Sequence, residues 1–207
     1  MLINNFSYCT METMDIAEQH IFKNKVYSFL FMLNLEYPNF SHWYNSLFDT
    51  NGLLKKNRHI IICFSENCIA GVSILKDETN EKKICTLRVA PLYQQMGIGK
   101  SLIEKSFEIL ECEKPLITIH ISKYHEFKSL FQRYGFTVEQ QAQSYYGLLK
   151  SELSYNGILT NQMSIINNSF IHRIAFRIES KLYDYDPHEI VKCSIMKQTT
   201  KQSLIYI

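Results

Sequence analysis

The stretch Val89-Ala90-Pro91-Leu92-Tyr93-Gln94-Gln95-Met96-Gly97-Ile98-Gly99-Lys100-Ser101-Leu102 most restricts the folds open to this chain. Just before it, Ile84-Cys85-Thr86-Leu87-Arg88-Val89 reads as a strand. Just after it, Ile103, Phe107 and Leu110, helped by Ile98 and Leu102, form the apolar stripe of a helix from Gly97 to about Leu110. A strand must turn into a helix within a few residues, and Gly97 and Gly99 let backbone approach a ligand without interference from Cβ. The first N–H groups of a helix have no partner inside it. With the helix dipole they favour an anion by about 0.3–1 kcal/mol per charge. A diphosphate fits such a cradle. The spacing is not that of a P-loop, because Gly97 stands only two residues before Gly99. It is not a dinucleotide fingerprint either, because the third glycine is missing and the preceding strands read as antiparallel.

Those strands are Ile60-Ile61-Ile62-Cys63-Phe64, Ile69 to Leu75, and Ile84 to Val89. Short polar turns join them, which predicts a meander, and the unbroken apolar run at Ile60 predicts a strand covered on both faces. Upstream, Ile3 to Cys9 reads as a strand and Thr10 or Thr13 as the cap of a helix running past Ile16. Val26 to Leu35 reads as helix, and a second helix opens near Pro38. Downstream, Pro115 opens a strand over Leu116 to Ile119. A helix spans roughly Tyr124 to Tyr134, with Gly135 as its C′ residue, and Phe136–Val138 and Ser144–Leu149 read as closing strands. After about Asn156 the pattern weakens. The domain boundary is placed there: residues 1–156 form one domain, and 157–207 an extension that is a dimerisation arm, a partner-binding segment or disordered.

With 22 basic and 20 acidic residues the chain lacks the charge of a nucleic-acid binder. No apolar run reaches the roughly 18 residues of a membrane span, and the first residues carry no signal-peptide pattern. The six cysteines contain no CxxC and sit largely in apolar runs, which argues for free thiols in a reducing, cytoplasmic setting and against a metal site.

Gln94-Gln95-Met96-Gly97-Ile98-Gly99 resembles the Q/R-x-x-G-x-G/A motif of the GNAT N-acetyltransferase superfamily. Leu87 to Tyr93 resembles that family's fourth strand and following turn, and Phe131-Gln132-Arg133-Tyr134-Gly135-Phe136 its Y-x-x-x-G-F helix ending. The order of elements agrees over about residues 1–150. The resemblance implies an α+β fold: a mixed, mostly antiparallel sheet in the order β-α-α-β-β-β-α-β-α-β-β, with flanking helices. It also implies acetyl transfer from acetyl-CoA to a primary amine by direct attack, with no metal and no covalent intermediate.

By the same resemblance the loop of Gln94, Gln95, Met96, Gly97, Ile98, Gly99 and Lys100 holds the pyrophosphate. Leu87 and Val89 pair with pantetheine, and the Val89 N–H, near a bulge, polarises the thioester carbonyl. The family's tyrosine acid falls at Phe131, which contacts cofactor in that reading but has no proton to give. Tyr124 and Tyr134 are the substitute acids, and Tyr124 also replaces the family's frequent asparagine. His120, at a strand end, is the candidate base. Tyr37, Phe40, Trp43 and Tyr44 are the candidate acceptor wall. The acceptor is left open among small amines, amino acids, antibiotics, peptide or protein amines and aminoacyl-tRNA. A catalytically silent CoA-binding or regulatory module is the alternative, motivated by Phe131 and by the absence of a carboxylate between Ile84 and Val89.

Overall fold

A computed structural model describes residues 5–37, 39–143 and 151–159. The fold is mixed α and β, with seven strands among the described residues, distributed over two compact units that divide after Pro115.

In the first unit, β1 (Phe6–Thr10), β2 (Arg58–Ser65), β3 (Cys68–Glu78) and β4 (Glu81–Val89) form consecutive antiparallel pairs. The run at Ile60 does sit in a strand covered on both faces. Ile60 and Ile62 of β2, with Val72 and Ile74 of β3, pack on Val26 and Leu30 of α1 (Ile16–Leu30) and Phe40 and Tyr44 of α3 (Phe40–Ser46). The opposite face carries α4 (Ile98–Leu110), where the Ser106 and Ser73 hydroxyls meet at 3.1 Å. Each fully buried isoleucine of β2 contributes about 1.5–3 kcal/mol by leaving water.

The helix boundaries differ from the expected ones for local reasons. Asp15, not Thr10 or Thr13, caps α1: its carboxylate accepts from the Glu18 N–H at 2.8 Å and the Glu18 carboxylate accepts from the Asp15 N–H at 3.2 Å. Thr13 instead donates its hydroxyl to the Thr10 carbonyl. The apolar run Val26 to Leu35 is not one helix. α1 ends at Leu30 and a short α2 covers Leu33–Glu36. The Asn34 amide takes the Phe31 carbonyl at 2.8 Å, and Phe31, Met32 and Leu35 stay exposed.

The second unit holds β5 (Leu116–His120), α5 (Tyr124–Arg133), β6 (Val138–Gln143) and β7 (Ser151–Tyr155). β7 lies between the other two and is antiparallel to both. Phe136 precedes β6 rather than opening it. The expected strand at Ser144–Leu149 lies outside the described residues, as do Ile3 and Pro38 and everything after Leu159. Phe127, Phe131, Phe136 and Tyr155 form an aromatic cluster between α5 and β7.

Both α4 and α5 end in the same motif. After α5, the Phe136 N–H reaches the Phe131 carbonyl and the Gly135 N–H reaches Gln132, with Gly135 at φ 62°. After α4, Cys112 reaches Phe107 and Glu111 reaches Glu108, but the left-handed residue is Glu111 at φ 47°. A side chain there costs about 1 kcal/mol or more. Glu111→Gly should therefore raise stability by about 0.5–1 kcal/mol, and Gly135→Ala should lower it by about 1 kcal/mol, both read as urea midpoints at fixed slope.

The β3–β4 hairpin is tied by Lys76 to Glu78 and Glu81 and by Lys82 to Asp77, and Arg58 of β2 joins it through Glu78. The hydrogen bond from Lys76, ahead of that from Arg58, holds the Glu78 carboxyl below its usual 4.5. A depressed carboxylate stabilises the fold above its unfolded-state pKa, and that contribution is lost as pH falls through the lower folded value. Glu78→Gln should flatten the acid limb of stability against pH below about 4.5, and an unchanged limb would remove Glu78 from that role.

Candidate functional site

The turn between β4 and α4 is built by backbone. The Ala90 N–H bonds the Ala70 carbonyl of β3 at 2.9 Å, and a single 3-10 turn over Pro91–Tyr93 returns the Tyr93 N–H to Ala90. Gln95 then takes φ 62° and Gly97 φ 86°. Two left-handed residues within three positions swing the chain into α4, whose first internal bond runs from the Ser101 N–H to the Gly97 carbonyl at 3.0 Å. The N–H groups of Ile98, Gly99 and Lys100 therefore have no acceptor within the helix. A Cβ placed on Gly97 meets nothing within 4 Å, so the space beside that residue, at the mouth of the helix, is open. Ile98 is buried and anchors the turn, whereas Gln94, Gln95 and Met96 are exposed. This arrangement fits a diphosphate: donors from backbone, a positive dipole end, and the Lys100 ammonium on the same turn, 3.6 Å from Glu104.

What holds α4 at that depth is Gly71 of β3. A Cβ there would lie 2.9 Å from Ile98 Cγ2, 3.1 Å from Leu102 Cδ1 and 3.2 Å from the Arg88 carbonyl. The helix thus starts where it does because β3 offers no side chain at Gly71.

The β4 backbone follows from the same register. Val89 pairs with Gly71, Arg88 with Val72 and Leu87 with Ser73. Because Ala90 donates to β3, alternation turns the Arg88 polar groups toward β3 and those of Leu87 and Val89 away from it. That is the orientation an extended ligand would need. The Val89 carbonyl also accepts from the Gln94 side-chain amide at 3.4 Å. The β4 bulge, however, is at Cys85, which is skipped between Ile74↔Thr86 and Leu75↔Ile84. The Val89 N–H is therefore not at the bulge. Desolvation pushes the Cys85 thiol up, so it holds its proton.

In the second unit, Phe131 is a buried side chain of the aromatic cluster. It is 1% exposed, with Phe127, Phe136 and Tyr155 rings at 5.1, 5.3 and 4.7 Å. Tyr124 opens α5, half-buried, its ring edge-on to His125 and beneath the Lys128 ammonium. Tyr134 is the C-cap of α5, half-buried against Phe136. Glu126 pairs with Lys123 at 2.8 Å. His120 ends β5, and its Nδ1 accepts the Ser122 N–H at 3.3 Å and lies 2.7 Å from Ser122 Oγ.

The aromatic residues expected to line an acceptor pocket divide. Phe40 and Tyr44 are 4% and 1% exposed and belong to the main core, and the Tyr44 hydroxyl donates to the Lys23 carbonyl. Burial pushes that phenol up. They cannot form a wetted wall, because helix α3 turns them onto Tyr27 and Phe48. Tyr37 and Trp43 are half-buried at the margin of that core.

Three groups escaped sequence reasoning. Tyr155 places a phenol against Phe131; burial first, then Tyr124, pushes its pKa up. Glu152, 1% exposed, stands opposite His120 in the β5–β7 register. Ser122 owes its place to the short turn after β5. A strand read from Ser151 would have found Glu152, because the alternation Ser-Glu-Leu-Ser-Tyr sets Glu152 and Ser154 on one face.

The sequence profile described as Acetyltransferase (GNAT) domain matches residues 39–156, more than half of the chain. A GNAT-family protein from Desulfovibrio desulfuricans superposes with TM-score 0.53 at 15% identity, over 73% of this chain and 97% of its own. An Escherichia coli N-acetyltransferase of a ribosomal-protein alanine superposes at 0.51 and 12% identity, over 78% and 100%. Comparison with curated proteins gives no match. No helix among the described residues is long and apolar enough to cross a membrane.

Gly71→Ala should cost about 1–3 kcal/mol in urea unfolding, because both its helix neighbours and the Arg88 carbonyl must shift. A variant within about 0.5 kcal/mol of wild type would show that the close approach of α4 to β3 does not matter.

Proposed function

Since this chain belongs to the GNAT acetyltransferase family, we propose that it transfers an acetyl group from acetyl-CoA to a primary amine in a ternary complex. The observation that carries this reading is the open backbone cradle at Gly97–Lys100, set on α4 after β4, whose Leu87 and Val89 polar groups turn away from β3. In this reading the amides of Ile98, Gly99 and Lys100 bind the pyrophosphate, and Gln94, Gln95 and Met96 frame it. Leu87 and Val89 orient the pantetheine, and the Val89 N–H holds the thioester oxygen where negative charge develops. The amine must arrive neutral, and the departing thiolate is stable enough to leave with weak acid help. Tyr124 and Tyr134 are the candidate donors. The setting is cytoplasmic and the acceptor is a small-molecule or peptide amine.

A second reading, a catalytically silent CoA-binding module, is favoured by one observation: the position of the family's acid is a buried phenylalanine, Phe131. Calorimetry with acetyl-CoA, then thiol release against pooled primary amines, separates the two. The enzyme releases thiol above the no-amine control; the silent module binds and releases none. Gly97→Trp should weaken acetyl-CoA binding at least about tenfold, because a Cβ on Gly97 meets nothing within 4 Å and a ring carried on it would fill the cradle. Gly97→Ala, which carries the same backbone strain at φ 86° without the bulk, should weaken it far less. Equal binding by wild type and Gly97→Trp would remove the cradle assignment.

A further inference from the structure

We infer that Phe6 of β1 is a positioning residue for the acetyl-CoA cradle, acting through Tyr93 on the turn that forms it, an inference that rests on the cradle proposed above. The cradle is made of backbone, so its affinity depends on how well the turn keeps its dihedral angles. Gln95 takes φ 62° without being a glycine, and Gly97 follows at φ 86°. A non-glycine residue in the left-handed region relaxes toward other geometry unless its surroundings hold it there. The turn has few side chains with which to do so. From Pro91 to Met96 every residue except Tyr93 is exposed, Leu92 by 82%.

The turn is therefore anchored at its two ends. After the strained residues, Ile98 is buried over Gly71 of β3. Before them, the Tyr93 N–H returns to the Ala90 carbonyl, and the Tyr93 ring meets Phe6 with centroids 6.0 Å apart and planes at 85°. Edge-to-face is a favoured geometry for an aromatic pair, and it fixes direction as well as distance. Phe6 thus sets where the chain stands as it enters the left-handed residues.

Phe6 is itself held. It pairs with Ser65 at the end of β2, and Tyr8, two residues on, stands on the same face of the strand opposite Cys63. The Tyr8 phenol reaches the Ser101 hydroxyl early in α4 and the Cys63 thiol. The Lys105 ammonium, one turn further along α4, lies 5.1 Å from the centre of the Tyr8 ring. Beyond Tyr8 a groove lined by Thr10, Ile61, Glu108 and Ile109 lies between strand and helix. β1 is therefore in close contact with the turn and the helix at its Phe6 end, where the cradle is. Tyr8 fastens the strand to α4, and Phe6 carries that fixed position to Tyr93.

The test is calorimetric titration of the full-length variants with acetyl-CoA, with melting curves to confirm folding. Phe6→Ala should weaken the affinity about three- to tenfold at unchanged stoichiometry, the worth of an aromatic pair read as binding. A role in stability alone would lower the fraction of protein that binds and leave the affinity of the rest as in wild type. Tyr93→Ala should weaken the affinity by a similar factor, and Tyr93→Phe, which keeps the ring, should bind as wild type does. The double variant of Phe6→Ala with Tyr93→Ala should bind no more weakly than Tyr93→Ala, because Phe6 acts through Tyr93. If Phe6→Ala does not fold, Phe6→Leu, which keeps apolar bulk and loses the ring edge, takes its place with the same expectations. Wild-type affinity in the folded Phe6 variant overturns the inference, as does an additive loss in the double variant. Either result leaves the cradle standing while Gly97→Trp loses affinity. Wild type that binds no acetyl-CoA, or binding that Gly97→Trp does not weaken, overturns the cradle and this inference with it.

Discussion

The close approach of α4 to β3 over Gly71 sets the rest of the first unit. The missing side chain lets Ile98 and Leu102 seat on the sheet, and that seating fixes where the helix begins. The turn before it has little freedom, because Ala90 is already bonded to Ala70 one residue away on the same strand. Gln95 and Gly97 then adopt left-handed geometry because the chain must reverse within that space. The open N–H groups are a by-product of this packing rather than an added device.

The sheet and helix order was legible because its signals are local and redundant. The isoleucines of β2, the i, i+4, i+7 stripe of α4 and Gly135 after α5 each act within a few residues, and each appears in the structure where its pattern places it. The misreadings arose where a polar side chain competes for backbone. Asp15 and Glu18 outcompete the threonines as cap, and Asn34 interrupts an apolar run that hydropathy alone carries through. The strand Ser151–Tyr155 gives little signal in the sequence because its alternation is short and half polar.

Candidate-site residues were legible where backbone does the work and less so where side chains do. The glycine loop declares itself through residues that few other structures require. Phe40, Tyr44 and Phe131 look alike in sequence whether they line a pocket or fill a core, and only the packing around Tyr27, Phe48 and Tyr155 distinguishes the two. Pairings such as His120 with Glu152 are set by register between strands distant in sequence, which no local pattern encodes.

The cradle at Gly97–Lys100 is made of main-chain N–H groups, which every residue but proline possesses. Recognition of that kind is nearly indifferent to side-chain identity, provided the dihedral angles and the depth of the helix are kept. Selection can then let most surrounding letters drift. A fold shared at 12–15% identity with other acetyltransferase structures is what such drift leaves behind. For this chain, the positions that resist change should be Gly71 and Gly97, where backbone has no substitute, while Gln95 and Met96 of the loop turn over freely.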